Sequence, residues 1–446
     1  MRRFCMLAVL IVLTAICLAC FIGCSPAAKV PSDGLEFEAV EGGYAVVGYS
    51  GSDLHVVIPD THEGKPVVAI GEEAFRDHDT LTNVTLPDGV TTIDSFAFHG
   101  CTSLVSIELP DSLTTVGGFA FFDCTSLLSI RLGKGVTTIE GFAFADCVAL
   151  KSIKIPKGVS KIEEGAFSGC AELMHISVAW GNEAYHVKGN CLIDTESKTL
   201  IKGCANSRIP KDGSVTRIGK DSFSGTKGLS DISFPDSITE IGFAAFNVCP
   251  DLRKVVIPNS VTDIEGAAFS GCASLTAVSV GRNVASIGSN AFGGCSALAE
   301  FTLAPENTFY HMAGNCLIET ASKKLMLGYG NCVIPDDGSV TEIESYAFSG
   351  CKGITSLVIP DSVTEIGIYA FAWCDRLTSL TVGAGVVHMD ICVAYECTAL
   401  REVIFVQPEG WRITLWKDEE PLDVTDPARA AEYLRDMYHS RDWYRQ

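Results

Sequence analysis

The sequence predicts an α/β solenoid, a right-handed superhelix of about twelve 23-residue repeats with a parallel β-sheet on one face and two β-hairpin insertions. Three observations carry that prediction. Phenylalanines recur in one phase along the chain, each repeat holds a short alternating strand signal closed by proline or glycine, and two interruptions of equal length break the ladder.

The period comes first, because missing a repeat misreads the whole fold. Phe75, Phe98, Phe121, Phe144 and Phe167 are 23 residues apart, as are Phe223, Phe246, Phe269 and Phe292, and then Phe348 and Phe371. Alanine precedes each of these except Phe223, which follows Ser222, and a cysteine stands three residues after most of them. The unit IPNSVTDIEGAAFSGCASLTAVSV, from Ile257 to Val280, shows the full pattern. A last, worn unit around Met389, Ala394 and Cys397 has lost the phenylalanine.

Each repeat then resolves into elements. Ile107-Glu108-Leu109 and Ile153-Lys154-Ile155 alternate apolar and polar residues, which gives one very short strand with its apolar side chains facing inward. Pro87, Pro110, Pro156, Pro235, Pro258 and Pro360 end those strands, since proline has no amide donor for a continuing ladder. The other apolar positions recur at spacings of three and four, which predicts a helical or 3₁₀ turn on the opposite side. No unit buries its apolar face alone, so units must stack, with the Phe column as spine. At about 4.8 Å per strand, twelve coils make a sheet about 60 Å long.

The repeats LPDSLTTVGGFAFFDCTSL and IPDSVTEIGIYAFAWCDRL closely resemble the BspA-like class of bacterial leucine-rich repeats, and the resemblance spans about residues 43–405. It implies a leucine-rich-repeat fold in a surface-exposed or secreted protein with a binding role, as in the family's adhesins. It does not name the ligand.

Phe167 to Phe223 and Phe292 to Phe348 each span 56 residues, one 23-residue period plus 33, and lie 125 residues apart, as a duplication would leave them. Both interruptions share Tyr-His-x-x-Gly-Asn-Cys-Leu-Ile-acid, beginning at Tyr185 and Tyr310, and read as β-hairpins that should leave the smooth surface. Tyr185, His186, Tyr310 and His311 are therefore candidate ligand contacts on a ridge, against a structural alternative in which the tyrosines pack inward.

The N-terminus carries a sorting signal. Arg2 and Arg3 precede an uncharged run from Phe4 to Ile22, and Gly23-Cys24 resembles a bacterial lipobox, which makes Cys24 the candidate lipidation site. An uncleaved membrane anchor is the alternative, and both place the remainder outside the cytoplasmic membrane. The expected organisation is a signal over 1–24, a tether over 25–34, N-terminal cap strands over 35–59, a solenoid over 60–408 with insertions at about 179–208 and 304–333, and a C-terminal cap with a helix over 409–446. Asp426-Pro427 marks that helix start, and Trp411, Trp416 and Trp443 are available to cover the last coil.

Composition narrows the function. With 47% hydrophobic residues the chain can build a large core, and a net charge of −21 argues against nucleic acid as partner. Ten of the 19 cysteines fall in one column, counting Cys397, where side chains point the same way; buried free thiols are the expectation. No Cys-x-x-Cys pair occurs in the repeats and no histidine accompanies the column, so no metal is expected, nor any cofactor. No P-loop, nucleophile elbow or His-Glu-x-x-His motif is present, and the chain reads as non-catalytic. On the open face of the sheet, Arg131 and Lys154 make one basic spot among small hydroxyls and complete the candidate ligand contacts. The combined reading is a lipid-anchored cell-surface interaction or adhesion module with an extracellular protein or glycan ligand. A structural envelope component is the alternative.

Overall fold

The computed structural model describes residues 30–415, 418–437 and 441–445. Within them the repeats stack as a β-solenoid with two parallel ladders. The front ladder starts with six strands, His55–Val57, Asn83–Thr85, Ser106–Glu108, Ser129–Arg131, Ser152–Ile155 and His175–Val178. It resumes as Lys254–Ile257, Ala277–Val280 and Glu300–Leu303, and again as Ser356–Ile359, Ser379–Val382 and Glu402–Phe405. Register advances by one period, so that Ser129 pairs with Ser106 on one side and Ser152 on the other. The alternation seen in the sequence sets the faces: Ile107, Ile130 and Ile153 are buried, whereas Glu108, Arg131 and Lys154 between them are exposed.

The opposite side departs from the expected helical turns. The residues after proline form a second parallel ladder of two-residue strands, including Thr92–Ile93, Thr115–Val116, Thr138–Ile139 and Lys161–Ile162. The threonines at its corner knit coil to coil, as Thr114 Oγ1 donates to the Thr91 carbonyl at 3.0 Å and Thr137 Oγ1 to the Thr114 carbonyl at 3.2 Å.

The Phe segment forms a tight turn between two left-handed residues. Phe96, Phe119 and Phe142, two positions before a column Phe, have φ of 60°, 57° and 56°, and Asp77, Asp123 and Asp146, two positions after one, have φ of 58°, 58° and 56°. A helix needs consecutive right-handed residues, and each left-handed L-residue costs about 1–2 kcal/mol, so the pair prevents a helix and must be offset elsewhere. Inter-coil bonds provide part of the offset: the amides of Phe75, Phe98, Phe121 and Phe144 donate to the carbonyls of Ala97, Ala120, Ala143 and Ala166 at 2.8 Å. Ring stacking adds to it, with centroids 5.1 Å apart for Phe75 and Phe98 and 5.2 Å for Phe98 and Phe121, the planes within 8° of parallel.

Both insertions also differ from a protruding ridge. Each is a three-stranded antiparallel meander, Tyr185–Lys188, Cys191–Asp194 and Thr199–Lys202 in the first, Tyr310–Ala313, Cys316–Glu319 and Lys324–Gly328 in the second. The third strand enters the second ladder as a parallel rung, pairing with Arg217–Ile218 or Glu342–Ile343. The insertions thus extend the solenoid sheet, burying Cys191, Leu192 and Ile193 completely, because an apolar Cys-Leu-Ile run has no stable place on a free hairpin.

At the start, Leu35–Val40 and Gly43–Tyr49 pair antiparallel, and the second of these joins Lys65–Ile70 at the edge of the second ladder. At the other end Trp443–Arg445 pairs with His388–Met389 and with Trp411–Leu415, and Trp411 and Trp443 are buried. A helix over Pro427–Glu432 begins at Asp426, whose carboxylate accepts from the Ala428 and Arg429 amides. Among the described residues no helix is long and apolar enough to cross a membrane. Cys24 and Trp416 lie outside the described residues.

Candidate binding surfaces

The front ladder places Arg131 and Lys154 at adjacent rungs, both exposed. Arg131 is partly tied down: one guanidinium nitrogen donates to the Leu109 carbonyl at 3.2 Å and another meets Asp111 at 3.3 Å. Asp111 also accepts from the Lys134 ammonium and backbone amide, which hold its carboxyl below the usual range. The turn aspartate after proline is therefore a strut to the next coil. Beside Arg131 lies a shallow polar groove of about 350 Å³, lined among others by Asn83, Thr85, Ser106 and Glu108. Farther along the same face the outward column turns apolar, with Val256 and Val358 more than half exposed.

The insertion residues separate into two kinds. Tyr185 and Tyr310 are not surface contacts; both are buried, and their hydroxyls accept from the Ile162 and Ile287 amides at 2.8 Å. Those isoleucines end a run of parallel rungs, and their next partner would be one period on, where the tyrosine now stands. The phenol closes an otherwise orphaned amide. Burial pushes both phenols up, Tyr310 to about 12. His186 and His311 remain half-buried on the outer side, each ring Nδ1 paired with a threonine hydroxyl, Thr195 at 3.0 Å and Thr320 at 3.1 Å. The structure therefore does not unite Arg131, Lys154 and the insertion residues in one site.

Several contributors escaped the sequence reading. Asn182 and Asn307 lock the meanders: the Asn182 amide donates to the Pro156 and Val159 carbonyls at 2.9 Å while its oxygen accepts from the Tyr185 amide, and Asn307 repeats this with Gly281, Val284 and Tyr310. The shared Asn-x-x-Tyr spacing was a visible signal for it. Trp180, at the entry to the first meander, is 94% exposed.

The fifteen described cysteines are free and buried. All ten column thiols donate to a carbonyl: nine to that of the Phe 26 residues earlier, at 3.0–3.2 Å, and Cys351 to that of Gly330 at 3.6 Å. Cysteine is thus small enough for the column and also supplies a weak donor for a buried acceptor. Burial pushes up the thiols of Cys101, Cys124, Cys147, Cys170 and Cys295, Cys101 and Cys170 to about 12, so these are poor nucleophiles and poor metal ligands.

Among the described residues one group of possible metal ligands stands together, His388, Asp390 and Asp442, with ligand atoms within 4.8 Å of one another. Burial first, then Asp442 and neighbouring glutamates, raise the Asp390 carboxyl, and His388 at 3.8 Å opposes the shift.

Residues 68–192, 198–316 and 329–410 match the BspA type leucine-rich repeat region. Among solved structures, a leucine-rich repeat protein from Eubacterium ventriosum is 18% identical, with a TM-score of 0.50 over 81% of this chain and 92% of that one. One from Bacteroides ovatus is 26% identical, with a TM-score of 0.48 over 84% of this chain and 94% of that one. A leucine-rich cell surface protein from Faecalibacterium prausnitzii is 24% identical, with a TM-score of 0.42 over 80% and 95%. No curated protein matches the chain.

Proposed function

We propose, since this chain belongs to the BspA-type leucine-rich repeat family, that it is an exported, lipid-anchored surface protein whose front sheet binds an extracellular protein or glycan without catalysis. One observation carries this reading. The six-stranded front sheet presents an exposed row, Glu108, Arg131, Lys154 and Ser177, on a scaffold held rigid by inter-coil bonds from both of its other sides. A preorganised row loses little entropy on binding, and the mixed charge around Arg131 favours a polar ligand over an apolar one. The leader and Gly23-Cys24 support export and anchoring. Tyr185 and Tyr310 drop out as contacts because their hydroxyls and rings are committed to the core.

Binding of residues 25–446 to arrayed extracellular proteins and glycans tests the reading. The variant carrying Arg131→Ser and Lys154→Ser should lose at least tenfold in affinity for any ligand found while melting as wild type. Unchanged binding by the folded variant would move the site off this face. For the anchor, Cys24→Ala should abolish lipid labelling and release the protein from membranes; labelling equal to wild type would refute Cys24 as the lipidated residue.

A further inference from the structure

The C-terminal end of the second ladder brings together an imidazole and two carboxylates, a combination that no other rung repeats among the described residues. His388–Met389 is the last parallel strand, and Trp443–Arg445 closes it antiparallel, with Met389 opposite Trp443 and His388 opposite Tyr444. That register sets Asp442 opposite Asp390. Side chains alternate along a strand, so Met389 and Trp443 are buried while His388, Asp390 and Asp442 share the outer face. Backbone bonds fix the closing strand on both sides, from the Arg445 amide to the Val387 carbonyl at 2.8 Å and from the Thr414 amide to the Asp442 carbonyl at 3.2 Å.

The ligand atoms of the three residues lie within 4.8 Å of one another. His388 Nε2 faces Asp390 Oδ1 at 3.8 Å, beyond hydrogen-bond reach. The His388 and Asp390 side chains are 39% and 34% exposed and Asp442 is half-buried, so an ion and its waters have access. Tetrahedral bonds of about 2.1 Å hold ligand atoms about 3.4 Å apart, so the widest pair has to close by about 1.4 Å at most, which rotation of partly exposed side chains supplies.

The neighbouring charges leave this corner negative. Glu365 stands on the rung before His388 and Glu342 on the rung before that. Lys324 meets Glu342 at 2.7 Å and Glu344 at 3.0 Å. Among the described residues no lysine or arginine forms an ion pair with Glu365, Asp390 or Asp442, and Arg412, opposite Tyr444 on the adjoining strand, pairs with neither aspartate. Earlier coils use the Asp390 position differently: Glu140, Glu163 and Glu265 stand there, and their carboxylates accept from the Gly118, Gly141 and Phe243 amides of the preceding coil at 2.7–2.9 Å. Asp390, one methylene shorter, makes no such bond.

We propose that His388, Asp390 and Asp442 bind a first-row divalent transition-metal ion, zinc fitting best, and that the ion staples the closing strand to the last coil. One imidazole nitrogen and two carboxylate oxygens make an open site completed by water, and the two negative charges balance the ion. The imidazole selects against magnesium and calcium, which take oxygen ligands. Because Asp442 comes from the closing strand and the other two from the last rung, the binding free energy adds to the docking of the cap.

The test uses the mature chain, stripped with EDTA and dialysed, with zinc chloride as the probe. In wild type, calorimetry should show a zinc site, melting should shift up by several degrees, and exchange of the Arg445 amide should slow. His388→Gln and Asp442→Asn, each melting as stripped wild type, should lose at least tenfold in zinc affinity together with the shift. Millimolar magnesium or calcium should not displace the zinc. No zinc binding by wild type, wild-type affinity in either variant, or displacement by magnesium or calcium would overturn the proposal. Should a variant not fold, zinc-edge anomalous scattering from soaked wild-type crystals decides: a peak bonded to His388 and both aspartates supports the site, and its absence at saturating zinc refutes it.

Discussion

Replacing Cys124 separates two explanations of the thiol column. Cys124 is fully buried and its Sγ donates to the Phe98 carbonyl at 3.2 Å. Cys124→Ala removes buried apolar volume worth about 1 kcal/mol, comparable to a methylene, and a weak hydrogen bond worth about 0.5 kcal/mol. The expected loss is about 1.5 kcal/mol. Cys124→Ser keeps a donor in nearly the same place, so if the bond matters its cost should be about 1 kcal/mol and the serine variant should equal or exceed the alanine variant. Were the thiol only a small hydrophobe, serine would bury an unsatisfied hydroxyl at about 1–3 kcal/mol and fall clearly below alanine. Urea unfolding followed by circular dichroism, with m compared across variants, reads the order directly. A serine variant less stable than alanine by more than about 1 kcal/mol would refute the hydrogen-bond account.

Alkaline solution should destabilise the fold. Burial holds Cys101 and Cys170 at about 12 against an ordinary 9.0, so between these values the unfolded chain releases protons that the folded one keeps, and stability present below pH 9 is lost as pH rises, by up to about 1.4 kcal/mol per unit for each such thiol. Urea midpoints flat from pH 8 to 10.5 would contradict this. Tyr185→Phe and Tyr310→Phe should each cost about 1–3 kcal/mol, by leaving the Ile162 or Ile287 amide unsatisfied, without changing ligand affinity; melting and binding measured together check both halves. Phe121→Ala should cost about 3–5 kcal/mol, since Phe121 is fully buried between Phe98 and Phe144 at 5.2 and 5.4 Å, and a loss under about 2 kcal/mol in urea unfolding would show that the stack closes over the gap.

The sequence by itself determined the coil, its period, the inward isoleucines of the front strands and the Phe and Cys columns, because stacking identical units forces identical residues onto the same few sites. It also determined that the two interruptions share one construction, since Tyr-His-x-x-Gly-Asn-Cys repeats at the same offset. It did not determine that the Val-Thr-x-Ile segment becomes a second ladder, because a two-residue strand such as Thr115–Val116 exists only through bonds to the coils before and after it. Nor could it show that Phe96, Phe119 and Phe142 adopt left-handed φ, a conformation that bulky residues avoid unless neighbouring coils impose it. Tyr185 looked like a ridge residue until the structure placed it one period from Ile162, where an unpaired amide draws its hydroxyl into the core. Only the tertiary structure could show that Lys202, an ordinary surface residue by composition, is buried with no hydrogen-bond partner for its ammonium among the described residues, at the place where the second meander has Leu327.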